Sequence, residues 1–492
     1  MSQRYLLLPQ TGVTSHTGPD AERLQRLTEA FEQEAGENQQ LDGIPLHVRD
    51  AQRNGPVLVE MSDAAVAALR AAGVPLRLVR EVVYPNPRVL TAQMQPERRG
   101  DSTGLAQITV SCVDARSGMP LADVRVIAFS DGAARSGDEG RTDATGRVVL
   151  HLAPDSAIAR LIVEADSRQW GACRDGLALA DQRVELAPLD LGVADVLRHY
   201  YPAAAAAQRF DAETGVKVGI VDTGVGPHEA LKGVTGCCTV TGDIAELDDP
   251  CNDVDIHGTH VAGLIGAQGK LPGLAPGVEL RAYRAFATTR SGATNFAIIK
   301  ALLFAVADGC DIVNLSLGGG LEDAALSEAL ADVRNHGVLV IAAVGNESLP
   351  YVTYPAVHED VVAVAAFGRR DGFPDRAEAA RYVRAAPVSR RDPAEFVAAF
   401  SNTGRRINMI APGVAVLSTV PGKANAYAPL SGTSMAAPVV TGVAACLLSQ
   451  DRALYHAPRN RDRADALRDK LLASCRRLGF GEEYEGDGQP LV

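Results

Sequence analysis

Three short segments carry residue types that can do nucleophilic chemistry together. Val218-Gly-Ile-Val-Asp-Thr-Gly ends an apolar run, read as a strand, with Asp222. Asp255-Ile-His-Gly-Thr-His-Val-Ala-Gly places His257 where a helical pattern opens. Ser431-Gly-Thr-Ser-Met-Ala-Ala-Pro places Ser434 at the start of another. A serine hydroxyl is a poor nucleophile at neutral pH, so a base must take its proton during attack. Histidine suits that task because its pKa lies near working pH. A carboxylate then holds the imidazole in the right tautomer and stabilises the imidazolium. Asp222, His257 and Ser434 match these three roles. A helix N-terminus also carries partial positive charge, which favours an oxyanion formed beside Ser434. Gly258, just after the base, and Gly432, two residues before the nucleophile, permit tight backbone approaches.

The order Asp, His, Ser along the chain is that of subtilisin. The chain resembles the subtilisin-like serine proteases (subtilases) through further segments. These are Gly215-Val-Lys-Val-Gly-Ile-Val-Asp-Thr-Gly, Asn314-Leu-Ser-Leu-Gly-Gly, Ala342-Ala-Val-Gly-Asn-Glu, Ala399-Phe-Ser-Asn-Thr-Gly and Ala411-Pro-Gly. The resemblance implies hydrolysis of peptide bonds through an acyl-enzyme. It implies Asn346 as side-chain donor to the oxyanion, beside the backbone N–H of Ser434. It also implies a substrate-binding edge at Ser316, Leu317, Gly318 and Gly319, along which an extended peptide is held by backbone hydrogen bonds. Ala342, Ala343, Val344, Asn346 and Thr353 are then expected to line the pocket for the side chain before the cut. Thr353 stands where the family often has glycine, which implies a shallower pocket, and Glu347 at its rim would tolerate basic side chains. Two departures stand out. Val439-Val-Thr follows Pro438 where the family often has His-Val-Ala, and an arginine-rich insertion, Arg369–Glu395, fills a connection that is usually short.

Other polar residues have plainer readings. His260 follows His257 by three residues but lacks the glutamate of a zinc-binding helix; the family treats it as structural, and His228 likewise. Asp248, Asp249, Asp253 and Asp255 form an acidic loop, read as solvated, with structural calcium as the alternative. No cofactor or metal is required for the chemistry. Of eight cysteines, Cys310 and Cys446 lie in apolar runs and read as buried thiols. Cys237, Cys238 and Cys251 cluster before His257 and remain open between structural thiols, one disulfide, and redox or metal control.

These residues need a large scaffold. The chain has 492 residues, 46% hydrophobic and 22% charged, with a net charge of −12, which argues against a general nucleic-acid binder. At roughly 150 residues per domain, about three domains are expected. Segment 1–95 reads β-α-β-β-α-β, a ferredoxin-like α+β unit similar in pattern to subtilase propeptides. Segment 104–190 has short alternating strands, and Met119-Pro-Leu-Ala-Asp-Val with Thr142-Asp-Ala-Thr-Gly-Arg-Val resembles a prealbumin-like β-sandwich. Segment 195–492 alternates strands with long helices, the pattern of a parallel-sheet α/β domain, here subtilisin-like. The short apolar run near the N-terminus is no signal-peptide core, and no apolar stretch reaches about 20 residues, so a cytoplasmic protein is expected. Expected partners are a protein or peptide substrate, with no nucleic acid and no membrane. The β-sandwich and the 369–395 insertion are candidate surfaces for a protein partner. The leading function is a serine endopeptidase, either held in check by its first domain or acting on one chosen protein. Acyl transfer in a ligase or cyclase, and a catalytically silent scaffold, are the alternatives.

Overall fold

The computed structural model describes residues 2–33, 39–86, 95–96, 105–131, 136–154, 156–164, 168–192, 195–202, 205, 209–242, 252–287, 292–422 and 426–492. Asp248, Asp249, Cys251 and most of the linker expected between 95 and 104 lie outside them.

The C-terminal part is a nine-stranded sheet. Its strand order is Thr235–Cys238, Glu279–Arg284, Lys217–Asp222, Ile312–Leu315, Leu339–Ala343 and Val361–Arg369, all parallel. Met409–Pro412 also pairs in parallel with Val361–Arg369. The antiparallel strands Glu395–Ala398 and Val383–Val388 extend the far edge. The central strands are apolar at nearly every position because both faces are covered. Val218, Ile220 and Ile341 join one core with the helices His257–Gly266 and Thr433–Gln450; Val221, Val340 and Ala342 join the other with Asn295–Ala307 and Ala324–Asn335. Thr433–Gln450 is long and apolar enough to cross a membrane, but it is a core helix, with 89% of it buried in the protein. In an open parallel sheet, sites form beyond the carboxyl ends of the strands. Asp222 ends one such strand, and Ser316 and Asn346 follow two others.

The N-terminal part has a five-stranded antiparallel sheet in the order Gln39–Leu41, Ile44–Ala51, Val57–Ser62, Ser2–Leu8, Arg77–Arg80. The helices Gly18–Glu32 and Asp63–Ala71 cover one face. Alternation along the strand Ser2–Leu8 sends Leu7 toward those helices. Leu6 and Leu8 point the other way, into the core that contains Phe296 and Ile299. Three successive leucines are therefore buried because this sheet also has something on each face.

Between these parts lie two small sheets. Ala172–Leu177, Ile158–Glu164, Arg125–Asp131, Ser136–Arg141 and Gln95–Pro96 make one; Arg147–Leu152, Ala106–Asp114 and Gln182–Leu186 make the other. Val110, Val126, Leu150, Leu161 and Val184 fill the space between them. The insertion after Val361–Arg369 grips this unit. Cys173 N–H donates to the Arg376 carbonyl and Glu378 N–H to the Gly171 carbonyl, both at 2.9 Å. Arg369, 5% exposed, pins the insertion by ion pairs to Asp371 at 2.8 Å and Asp392 at 2.6 Å.

Candidate active site

Asp222 and His257 meet at the sheet's carboxyl end. His257 Nδ1–H donates to Asp222 Oδ1 at 2.8 Å, and both side chains are only 1% exposed. The helix start must press closely on the turn after Asp222. A Cβ at Gly258 would lie 2.0 Å from the Gly224 carbonyl oxygen, so only glycine fits there. Burial disfavours the imidazolium, but the charge and hydrogen bond of Asp222, with Asp255 and Asp253 beyond, raise the His257 pKa above its ordinary 6.5. Among the described residues His257 Nε2 is buried without a partner.

Ser434 sits in the first turn of Thr433–Gln450, where helix N–H groups lack intrahelical acceptors. Its hydroxyl donates to the Ser316 carbonyl at 3.2 Å, so the serine–histidine bond is not formed in this structure. Ser316 Oγ in turn donates to the Ser434 carbonyl at 2.9 Å and accepts from Asn314 Nδ2 at 2.8 Å. The Ser316 side chain thus ties the nucleophile's helix to the sheet. Asn346 Oδ1 accepts from both the N–H and the hydroxyl of Thr433, each at 2.9 Å. An N–H can only donate, which fixes the amide orientation and leaves Nδ2–H₂ as the outward group.

The expected substrate edge is divided. Gly318 and Gly319 are solvent-accessible, while Leu317, Ala342 and Val344 turn their side chains into the core and offer only backbone. Ala343 is 3% exposed and packs in the opposite core. Thr353 Oγ1 donates to the Val344 carbonyl at 3.0 Å and lies 3.5 Å from where a Gly318 Cβ would sit, so it closes the space beside the edge. Asn402, fully buried, was not singled out by sequence reading. It donates to the Val344 carbonyl at 3.0 Å and to Glu347 Oε2 at 2.8 Å, and accepts from the N–H groups of Glu347 and Leu349. The Ser-Asn-Thr-Gly motif was its only sequence signal.

A segment of this chain lies beside that edge. Val83–Pro85 pairs antiparallel with Gly292–Thr294. The Tyr84 ring lies against Gly320, where a Cβ would meet it at 2.2 Å, and Tyr84 is fully buried. Asn295 clamps the approach: Oδ1 accepts from Val82 N–H at 3.1 Å and Nδ2 donates to the Arg80 carbonyl at 3.2 Å. Asp50 pairs with Lys300 at 2.8 Å, and Arg77 with Glu328 at 2.5 Å.

His260 Nε2–H faces the carbonyls of Val416 and Ala428 at 3.0 and 3.1 Å, and burial pushes its pKa down to about 3. His228 Nε2–H donates to the Ala426 carbonyl at 3.0 Å while Nδ1 accepts from Ala230 N–H. Both histidines hold the hairpin that leads to Ser434. Both oxygens of Asp253 are engaged by protein donors, and among the described residues no group of three His, Cys, Asp or Glu side chains is arranged to hold a metal ion.

Residues 213–482 match the subtilase family. Over 277 residues the chain is 35% identical to subtilisin DY of Bacillus licheniformis, covering 55% of this chain and 86% of that protein. Over 246 residues it is 36% identical to subtilisin Savinase of Lederbergia lenta, covering 49% and 80%. The same identity to M-protease of Shouchella clausii (strain KSM-K16) covers 49% of this chain and 56% of that protein. The chain belongs to the subtilase family. It is a subtilisin-like serine endopeptidase whose substrates are proteins or peptides.

Proposed function

We propose that Ser434 is the nucleophile, His257 the general base, Asp222 the orienting carboxylate and Asn346 an oxyanion donor. The observation that carries this is the buried Asp222–His257 pair, with Nε2 left unpartnered among the described residues, on a helix that packs against the Ser434 helix. In the first step the Ser434 hydroxyl leaves the Ser316 carbonyl and turns to His257. Oγ then bonds to the substrate carbonyl carbon as Nε2 takes its proton. The carbonyl π pair moves onto oxygen, which Asn346 Nδ2–H and the Ser434 backbone N–H receive. The imidazolium delivers its proton to the leaving amine. Water then repeats the sequence on the acyl-enzyme. An activated-serine phosphonate should label Ser434, and Ser434→Ala should lose labelling and turnover while remaining folded. Turnover surviving in that variant, free of contaminating protease, refutes the assignment.

Residues 1–95 form, on this reading, a propeptide-like ferredoxin-like domain that inhibits the 195–492 peptidase domain by laying its tail in the cleft. The Val83–Pro85 pairing and the buried Tyr84 support it. Residues 104–190 are the β-sandwich module, for which the 369–395 insertion is the intramolecular partner. Separately added 1–95 should inhibit a chain that begins near Gly104. If it fails to bind, and its removal changes neither yield nor activity, segment 1–95 is a docking domain.

A further inference from the structure

The turn that joins the Asp222 strand to the His257 helix is closed by a carboxylate to which the mechanism above gives no role. Asp253 precedes His257 by four residues. Its Oδ1 accepts from Thr223 Oγ1 at 2.6 Å and from Asp255 N–H at 3.0 Å. Its Oδ2 accepts from Thr259 N–H at 2.8 Å and Thr259 Oγ1 at 2.5 Å. Thr223 follows Asp222, and Thr259 lies in the first turn of the His257 helix. One carboxylate therefore ties the end of the strand to the start of the helix, where negative charge is also favoured by the helix dipole.

We infer that Asp253 is a positioning residue for the Asp222–His257 pair, acting through the Thr223 hydroxyl; the inference rests on the triad reading above. Thr223 Oγ1 lies 2.6 Å from Asp253 Oδ1 but also 3.2 Å from Asp222 Oδ1. A hydroxyl has one proton to give. The shorter contact takes it, and the hydroxyl's lone pair accepts from Gly258 N–H at 2.9 Å. Asp222 Oδ1 is thereby reserved for Thr223 N–H at 2.7 Å and His257 Nδ1–H at 2.8 Å. Without the Asp253 carboxylate, the Thr223 proton turns to Asp222 Oδ1 and competes with His257 for that oxygen. The bond that orients the imidazole and stabilises its charged form then weakens. Among the described residues, the charged and titratable groups around Asp253 are Asp222 on the strand, Asp255 in the loop and His257 on the helix. Burial raises the Asp253 pKa to about 6 against the opposing hydrogen bonds from Thr223, Thr259 and Asp255.

The test is Asp253→Asn in the full chain, assayed with a small activated ester across pH. The expected result is a fall in kcat of about tenfold to a hundredfold, below the full worth of acid–base catalysis, with KM within about twofold. The acid limb of kcat/KM should move to lower pH, because a negative charge beside His257 is gone. In a Thr223→Ala background the same substitution should change kcat by less than about threefold, because its messenger is absent. An unchanged kcat and acid limb with a lowered Tm, or an equal effect in both backgrounds, overturns the inference. Should Asp253→Asn fail to fold, Thr223→Ser and Thr223→Ala decide instead. Both should keep the wild-type acid limb, because serine still gives its proton to Asp253 and alanine has no proton to compete for Asp222 Oδ1; a shifted alanine variant overturns the inference. Ser434→Ala run alongside reports separately on the triad reading, since turnover in that variant refutes the triad whatever Asp253 does.

Discussion

His257 and His260 stand three residues apart on one short helix, each buried to 1% exposure or less, yet they face different neighbours. The first donates to a carboxylate, and its pKa is raised. The second donates to two backbone carbonyls, and burial pushes its pKa down to about 3. Carbonyl dipoles satisfy an N–H but cannot balance a full imidazolium charge, whereas a carboxylate can. Around His257 the polar groups that would meet substrate remain available: Nε2 has no partner among the described residues, and Asn346 presents Nδ2. Around His260 the hydrogen bonds bind a hairpin, with Ser418 Oγ and Thr419 Oγ1 donating to the carbonyls of His260 and Thr259. One turn of helix thus separates a site built to change charge from one built to stay neutral.

The comparison can be broken first at the catalytic end. Ser434→Ala should lower kcat by about 10⁶, the magnitude known for subtilisin itself rather than one derived from this geometry. Asp222→Asn should cost about 10⁴ in kcat, because the amide no longer holds the proton on Nδ1. A loss below about tenfold would show that the tautomer is set elsewhere. Asn346→Ala should lower kcat by about 10²–10³ with little change in KM, a magnitude also taken from subtilisin. If KM rises while kcat holds, Asn346 binds the ground state.

The pH dependences sharpen the contrast. The base must be neutral to accept the Ser434 proton, so activity should fall as pH drops through the raised His257 pKa, with an acid limb above pH 6.5. A flat profile down to about pH 5 in folded protein would contradict His257 as base. His260 carries the opposite sign. Its folded pKa is depressed, so its neutral form contributes stability above pH 6.5 that is lost as pH falls toward about 3. His260→Gln should flatten the acid slope of stability by up to about 1.4 kcal/mol per pH unit while leaving the acid limb of activity in place. It should also lower stability at neutral pH by about 1–3 kcal/mol, read from denaturant unfolding. If the activity limb moves instead, the two histidines are coupled.

Much of the site was legible because its chemistry is local in kind. Aspartate ending an apolar strand, and histidine or serine opening a helix with a glycine within two residues, are short-range patterns. The parallel sheet was legible for a similar reason, since strands covered on both faces are apolar throughout. Residues that act by contact were not legible. Asn402 holds the loop after Val344 across a separation of 58 residues, and Thr433 orients Asn346 across 87. Ala342 and Val344 read as pocket lining and Leu317 as part of the substrate edge, but their side chains turn into the core.

The amino-acid order by itself determined the family and the α/β class and supplied the candidate triad, because each is written in residue type and short spacing. Only the tertiary structure decided which partners each histidine meets, where the Ser434 hydroxyl rests, and what lies against Gly320. Tyr84 and Gly320 are 236 residues apart in sequence, yet the ring occupies the space that glycine leaves. The 369–395 insertion meets the β-sandwich through backbone hydrogen bonds, which leave almost no trace in residue identity. Hydrogen bonding and burial depend on what the folded chain brings near each group, and that proximity is a property of packing rather than of sequence spacing.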